Sequence, residues 1–63
     1  MERLIREAEV ISTVGLGRTR IWQLEREGAF PKRIRLPGTK RIVWRESEIQ
    51  EWIRRTIAEA RAA

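Results

Sequence analysis

Sixty-three residues with a net charge of +5, no Cys and no His describe one small domain, residues 1–63, without a disulfide or the usual ligands of a structural zinc. No run approaches the roughly 20 apolar residues of a membrane span, the first fourteen residues lack a signal-peptide core, and the absence of Cys fits a cytoplasmic protein. The charge is uneven: residues 17–45 hold nine basic side chains against Glu25 and Glu27, net +7, while residues 1–16 and 46–63 each sum to −1. Such a block is the footprint of a polyanion binder, with nucleic acid the first candidate and an anionic membrane the second. A chain of this size buries only about 60% of its unfolded surface, so Trp22, Trp44 and Trp52 are expected to supply much of the packing area.

In chain order, residues 1–5 read as a lead-in, with Leu4 and Ile5 as an apolar anchor. A first helix starts near Arg6 or Glu7, where Glu7 and Glu9 suit the positive end of the helix dipole. Val10, Ile11 and Val14 share one of its faces, and Gly15 ends it. After Leu16, a second helix runs from Arg18 to Glu27 with Gly17 as N-cap and Ile21 and Leu24 turned inward. Gly28 stops it, and Pro31 forbids continuation.

The period then changes from helix to strand. Arg33-Ile34-Arg35-Leu36 alternates, basic side chains out and apolar ones in, and Arg41-Ile42-Val43-Trp44 does so more loosely. Pro37-Gly38 suits the central positions of a type II turn, so these strands form a hairpin with its tip at Gly38-Thr39-Lys40. A last helix follows. Arg45 as N-cap places Trp44 and Ile49 in hydrophobic-staple positions, a better fit than a capping box at Ser47. Ile49, Trp52, Ile53, Thr56, Ile57 and Ala60 share one face, and the Ala-rich tail is expected to fray. Phe30 is expected to plug the gap between the second helix and the hairpin.

Two helices joined by Gly15-Leu16-Gly17 and followed by a basic hairpin and a third helix make a winged helix-turn-helix, an α+β fold that is mainly α. Arg18, Thr19, Arg20, Gln23 and Arg26 lie on the second helix away from Ile21 and Leu24. Their chemistry suits a duplex: Arg pairs with guanine, Gln with adenine, and the Thr methyl meets the thymine methyl. Residues at the N-terminus of such a helix reach base edges most readily, which favours Arg18 and Thr19. Lys40 and Arg41 at the hairpin tip suit phosphates or a minor groove, with protection of an exposed strand edge as the structural reading. Lys32, Arg33 and Arg35 are weaker candidates, since half a strand's polar face points away. For Trp22, contact with sugar-phosphate, support of the wing and core packing all stay open. Trp44 and Trp52 read as core.

Against an enzyme stands a shortage of parts: there is no His, Cys or Asp, no Gly-rich phosphate loop, and the nine Glu lie mostly on outer helical faces. RNA is a poorer fit than DNA, because the A-form major groove does not admit side chains. Membrane-surface binding needs a broad apolar helix face that the second helix lacks.

Three stretches carry a family likeness: Gly15-Leu16-Gly17-Arg18-Thr19-Arg20-Ile21-Trp22, Gly28-Ala29-Phe30-Pro31-Lys32, and Trp44-Arg45-Glu46-Ser47-Glu48-Ile49 with Trp52-Ile53. Together they resemble the AlpA family of prophage regulators, within the MerR-like winged-helix proteins that include phage excisionases. The resemblance implies a DNA-binding transcriptional regulator, and no cofactor is expected. An excisionase-like factor that bends DNA for an integrase is the alternative, and a protein-interaction module such as an antitoxin or adaptor is the alternative of another class. Where the family usually has Ser at the second-helix N-cap, this chain has Gly17. The last helix commits Ile49, Trp52, Ile53 and Ile57 to its own core and offers no heptad repeat. A monomer in solution that occupies neighbouring DNA sites cooperatively is therefore expected.

Overall fold

The computed structural model describes residues 2–63. The elements run β1 (Leu4–Arg6), α1 (Glu7–Val14), α2 (Arg18–Arg26), β2 (Ile34–Arg35), β3 (Ile42–Arg45) and α3 (Glu46–Ala62). The three strands form one antiparallel sheet in the order β1-β3-β2. This is the expected mainly helical α+β fold, a small winged helix-turn-helix.

The helix boundaries follow from local chemistry. Gly15 closes α1 in the left-handed region at φ 78°, and its N–H donates to Ile11 O at 3.0 Å. A side chain with a Cβ adopts that conformation only at a cost. Gly17 caps α2, whose first hydrogen bond runs from Ile21 N–H to Gly17 O at 3.0 Å. α2 ends in a Schellman pair, with Ala29 N–H to Leu24 O at 2.8 Å and Gly28 N–H to Glu25 O at 3.1 Å. In the wing, Thr39 N–H closes the turn on Leu36 O at 3.2 Å around Gly38, at φ 77° as a type II turn requires. The Thr39 hydroxyl reinforces it, donating to Leu36 O at 3.0 Å and accepting from Arg41 N–H at 3.1 Å.

Residues 4–6 are not a lead-in but the third strand. β1 pairs Ile5 with Trp44 and Arg6 with Val43, which buries Ile5 in the core. Its ladder continues into α3: Glu46 N–H donates to Arg3 O at 2.8 Å. A backbone carbonyl thus satisfies the first donor of α3, where Arg45 as N-cap makes no side-chain cap bond. Ion pairs Arg3–Glu46 and Arg45–Glu2, both 2.7 Å, hold the same junction from its two sides.

Ile5, Val10, Ile21, Phe30, Trp44 and Ile49 form the buried cluster. Trp44 and Ile49 are both fully buried, as their staple positions require. Phe30 is buried in this cluster with Ile21 of α2 and Trp44 of the hairpin. It meets Trp52 of α3 edge to face, with centroids 4.9 Å apart, and Trp52 Nε1 donates to Ala29 O at 2.8 Å.

The expected apolar face of α3 is only half used. Ile49 is buried and Trp52 and Ile53 are half-buried, whereas Thr56 and Ala60 are exposed and Ile57 is 44% exposed. The reason is length: 17 residues of helix run about 25 Å, and the four residues of β3 beneath them about 13 Å. The distal turns project, giving a molecule 43 Å long and 19 Å thick. The Ala-rich tail, expected to fray, is helical through Ala62, in keeping with the high helix propensity of Ala.

Candidate nucleic-acid interface

α2 turns Ile21 and Leu24 towards α1 and the sheet. At roughly 100° per residue, the opposite pole of the helix carries Thr19, Gln23 and Arg26. Trp22 stands beside Arg26, while Arg18 and Arg20 lie on the two margins. Thr19, Arg20, Gln23 and Arg26 are all exposed. Arg18 is also exposed but leans back to α1, with its Nε 3.3 Å from Glu7 Oε1. Arg20 donates to Gln23 Oε1 at 3.4 Å. Trp22 is not core. It is 47% exposed, and the Arg26 guanidinium stacks on it, 4.7 Å from the ring centroid.

Lys32, Arg35, Lys40 and Arg41 are exposed on the α2–β2 loop and the wing. Arg33 departs from the expected pattern. Its alternation predicted an outward side chain, yet it turns inward: Nε donates to Glu25 Oε1 at 2.7 Å, and the guanidinium lies 5.3 Å from the Trp44 ring centroid. Glu25 is likewise no outer-face carboxylate. Only 10% of its side chain is exposed, and its other oxygen accepts from Trp44 Nε1 at 3.0 Å. Trp44 Nε1 also reaches Pro31 O at 3.1 Å. Glu25, Pro31, Arg33 and Trp44 therefore tie α2, the loop that leads into β2, and β3 into one unit.

Sequence reasoning missed that tie. Its only sequence signal is a carboxylate at 25, one turn after Ile21 and beside the apolar stripe, with a strand Arg eight residues on.

Arg45, at the end of the basic block, belongs to the α3 junction and not to this face. It donates to Glu2 Oε1 from Nε at 3.0 Å and from Nη2 at 2.7 Å. The Arg45 hydrogen bonds hold the Glu2 carboxyl below the usual carboxylate range, against desolvation and with help from the Ser47 hydroxyl. Arg45 is held further into its charged form by Glu2, and Arg3 by Glu46 and Glu9. With Arg33, Arg45 and the Glu7-paired Arg18 set aside, the face of α2 and the wing keeps Arg20, Arg26, Lys32, Arg35, Lys40 and Arg41. Among the described residues none of these six forms an ion pair.

A groove of about 470 Å³ lies elsewhere, between Phe30-Pro31 and α3. Its charged lining is mainly acidic, Glu48, Glu51 and Glu59 against Arg55, the wrong sign for a polyanion. Among the described residues there is no cluster of three or more metal-ligating side chains, and no helix is long and apolar enough to cross a membrane.

A family model described as "Prophage CP4-57 regulatory protein (AlpA)" matches residues 3–57, from the strand that caps α3 to the exposed Ile57. The chain belongs to the AlpA family. This AlpA-family chain is also 40% identical over 57 residues to the "Uncharacterized protein ORF88" of Enterobacteria phage P4. That alignment covers 90% of this chain and 64% of the phage protein, so the chain spans just under two thirds of its relative's length. No solved structure matches it significantly. By its description, AlpA is a family of prophage regulatory proteins.

Proposed function

We propose that this AlpA-family protein is a transcriptional regulator that binds double-stranded DNA at specific sequences. α2 enters the major groove, about 12 Å wide, which admits one helix. Thr19, Gln23, Arg26 and Trp22 face the base edges. Arg18 and Arg20, on the margins of the helix, meet the phosphate strands that wall the groove, a different role for Arg18 from the base contact its helix-start position favours. Lys40 and Arg41 carry the wing along the backbone, with Lys32 and Arg35 behind them.

The observation that carries this reading is the set of six solvent-facing cations on α2, its loop and the wing that have no carboxylate partner among the described residues. Unneutralised cations crowded on one small domain repel one another, and phosphates relieve that repulsion. The Glu25–Arg33–Trp44 tie supports the same reading, because a helix and a wing that bind one duplex need a set angle between them.

Titration of a labelled duplex at several salt concentrations tests the proposal. With about 4–6 phosphates neutralised, the log–log slope of affinity against salt is expected near −4 to −5. A flat response would remove DNA as the partner and favour a protein-interaction module.

A further inference from the structure

Trp22 has no place in the hydrophobic core, yet it is the largest apolar side chain on α2, and nearly half of it meets solvent. One turn on, Arg26 lies against its ring at 4.7 Å. Among the described residues Arg26 has no carboxylate partner, so the indole is what holds its guanidinium in place. Stacking restricts the rotamers of an otherwise flexible side chain and leaves the edge of its planar fork free. Less ordering is then left for the moment of binding.

The fork and the indole make a matched pair of probes. In the major groove, guanine offers two acceptors, N7 and O6, spaced for a bidentate Arg, and thymine offers the one apolar group, its 5-methyl. The geometry points to a composite base reader: Arg26, braced by Trp22, takes the N7 and O6 of a guanine, and the indole of Trp22 packs on the methyl of a thymine beside it. The inference rests on the DNA reading above. It adds a chemical identity for part of the operator, a guanine adjoining a thymine, and it explains why a bulky apolar side chain faces water on an otherwise polar helix surface.

The test starts from duplexes that the wild-type protein enriches from a random pool. The best-bound duplex is resynthesised with each thymine replaced singly by deoxyuridine, which removes only the methyl group. At one thymine beside a guanine, wild-type affinity is expected to fall about 3–5-fold, the scale of one methyl group withdrawn from apolar contact. Trp22→Ala is expected to bind more weakly and to ignore that substitution. Trp22→Phe, which keeps an aromatic ring and loses the N–H, is expected to stay sensitive to it. Arg26→Lys is expected to lose the preference for the adjoining guanine and to keep the salt slope, since the charge stays and the fork goes.

Wild-type indifference to every deoxyuridine overturns the inference while the DNA reading stands. So does a Trp22→Phe variant that weakens all duplexes as much as Trp22→Ala, the mark of an indole N–H on a phosphate. If no duplex is enriched at all, the DNA reading falls and this inference with it. The deoxyuridine series uses the unmodified protein, so it decides the matter even if a variant folds poorly.

Discussion

Replacing Glu25 by Ala tests whether the tie between α2 and the wing holds the fold as its geometry implies. The carboxylate accepts from Arg33 Nε at 2.7 Å and from Trp44 Nε1 at 3.0 Å, with only 10% of its side chain exposed. Its removal leaves Trp44 Nε1 with Pro31 O as a remaining acceptor, so that donor is not stranded. Arg33 fares worse. Its Nη2 is already buried without a partner, and the variant strips Nε as well. Removing one member of a fully buried pair costs about 3–5 kcal/mol. The Arg33 side chain is 31% exposed and can recruit water, which lowers the expectation to about 2–3 kcal/mol, the range of a hydrogen bond to a charged group. For a domain this small, 1 kcal/mol moves the melting temperature by about 4–8 °C, so Glu25→Ala should melt on the order of 10–20 °C lower. Thermal melts followed by Trp fluorescence and far-UV circular dichroism measure it. A double cycle with Arg33→Met sharpens the test: the double variant should be less destabilised than the sum of the singles by at least about 1 kcal/mol, because no charge is then left unpaired. A loss below about 0.5 kcal/mol for Glu25→Ala, typical of a surface substitution, would refute the reasoning.

Gly15→Ala should cost about 1–2 kcal/mol in urea unfolding from backbone strain alone, since Gly15 sits at φ 78° and a Cβ there meets nothing within 4 Å. Gly17→Ser, at φ −76°, should be neutral or gain a few tenths of a kcal/mol as a better N-cap; equal losses at both positions would contradict this account of the turn. Lys40→Ala should weaken all duplexes about equally and reduce the salt slope by about 1, and a loss confined to one sequence would make Lys40 a base reader. The Glu2 carboxyl should titrate below the ordinary Glu range in an NMR pH series, because Arg45 stabilises its charged form. Its contribution to stability is then present above the unfolded-state value and lost as pH falls through the lower folded-state value. Glu2→Gln should remove that acid-side loss, and an unshifted Glu2 resonance would contradict the Arg45 contact. The free protein should sediment as a monomer at micromolar concentration, although Ile57 is exposed and not in the core as its periodicity implied. A stable dimer would overturn this, and its loss in Ile57→Glu would locate the interface on α3.

Legibility in the sequence follows the range of the forces involved. Gly15 and Gly17 at the helix junction, Gly28 at the end of α2, Pro37-Gly38 in the wing and Arg45 between Trp44 and Ile49 are all where the chain alone puts them. Each reflects sterics or hydrogen bonding within four or five residues, which the neighbouring side chains dictate. β1 was not legible, because three residues carry too little alternation to declare a strand, and its partner β3 lies almost forty residues on. The outward pole of α2 was legible as a helical face, but not the stacking of Arg26 on Trp22. Arg33 obeys the strand alternation in sequence and breaks it in space, because Glu25 and the face of Trp44 reward an inward turn that period-two reasoning does not contain. Ile57 shows the reverse error: a perfect helical face has no core opposite it once α3 outruns the sheet. Residue order thus determined the three helices, the wing hairpin, their turn residues and the sign of the charge. Only the tertiary structure decided which cations are neutralised and which remain to meet a partner, because that depends on carboxylates brought close by folding from distant points in the chain.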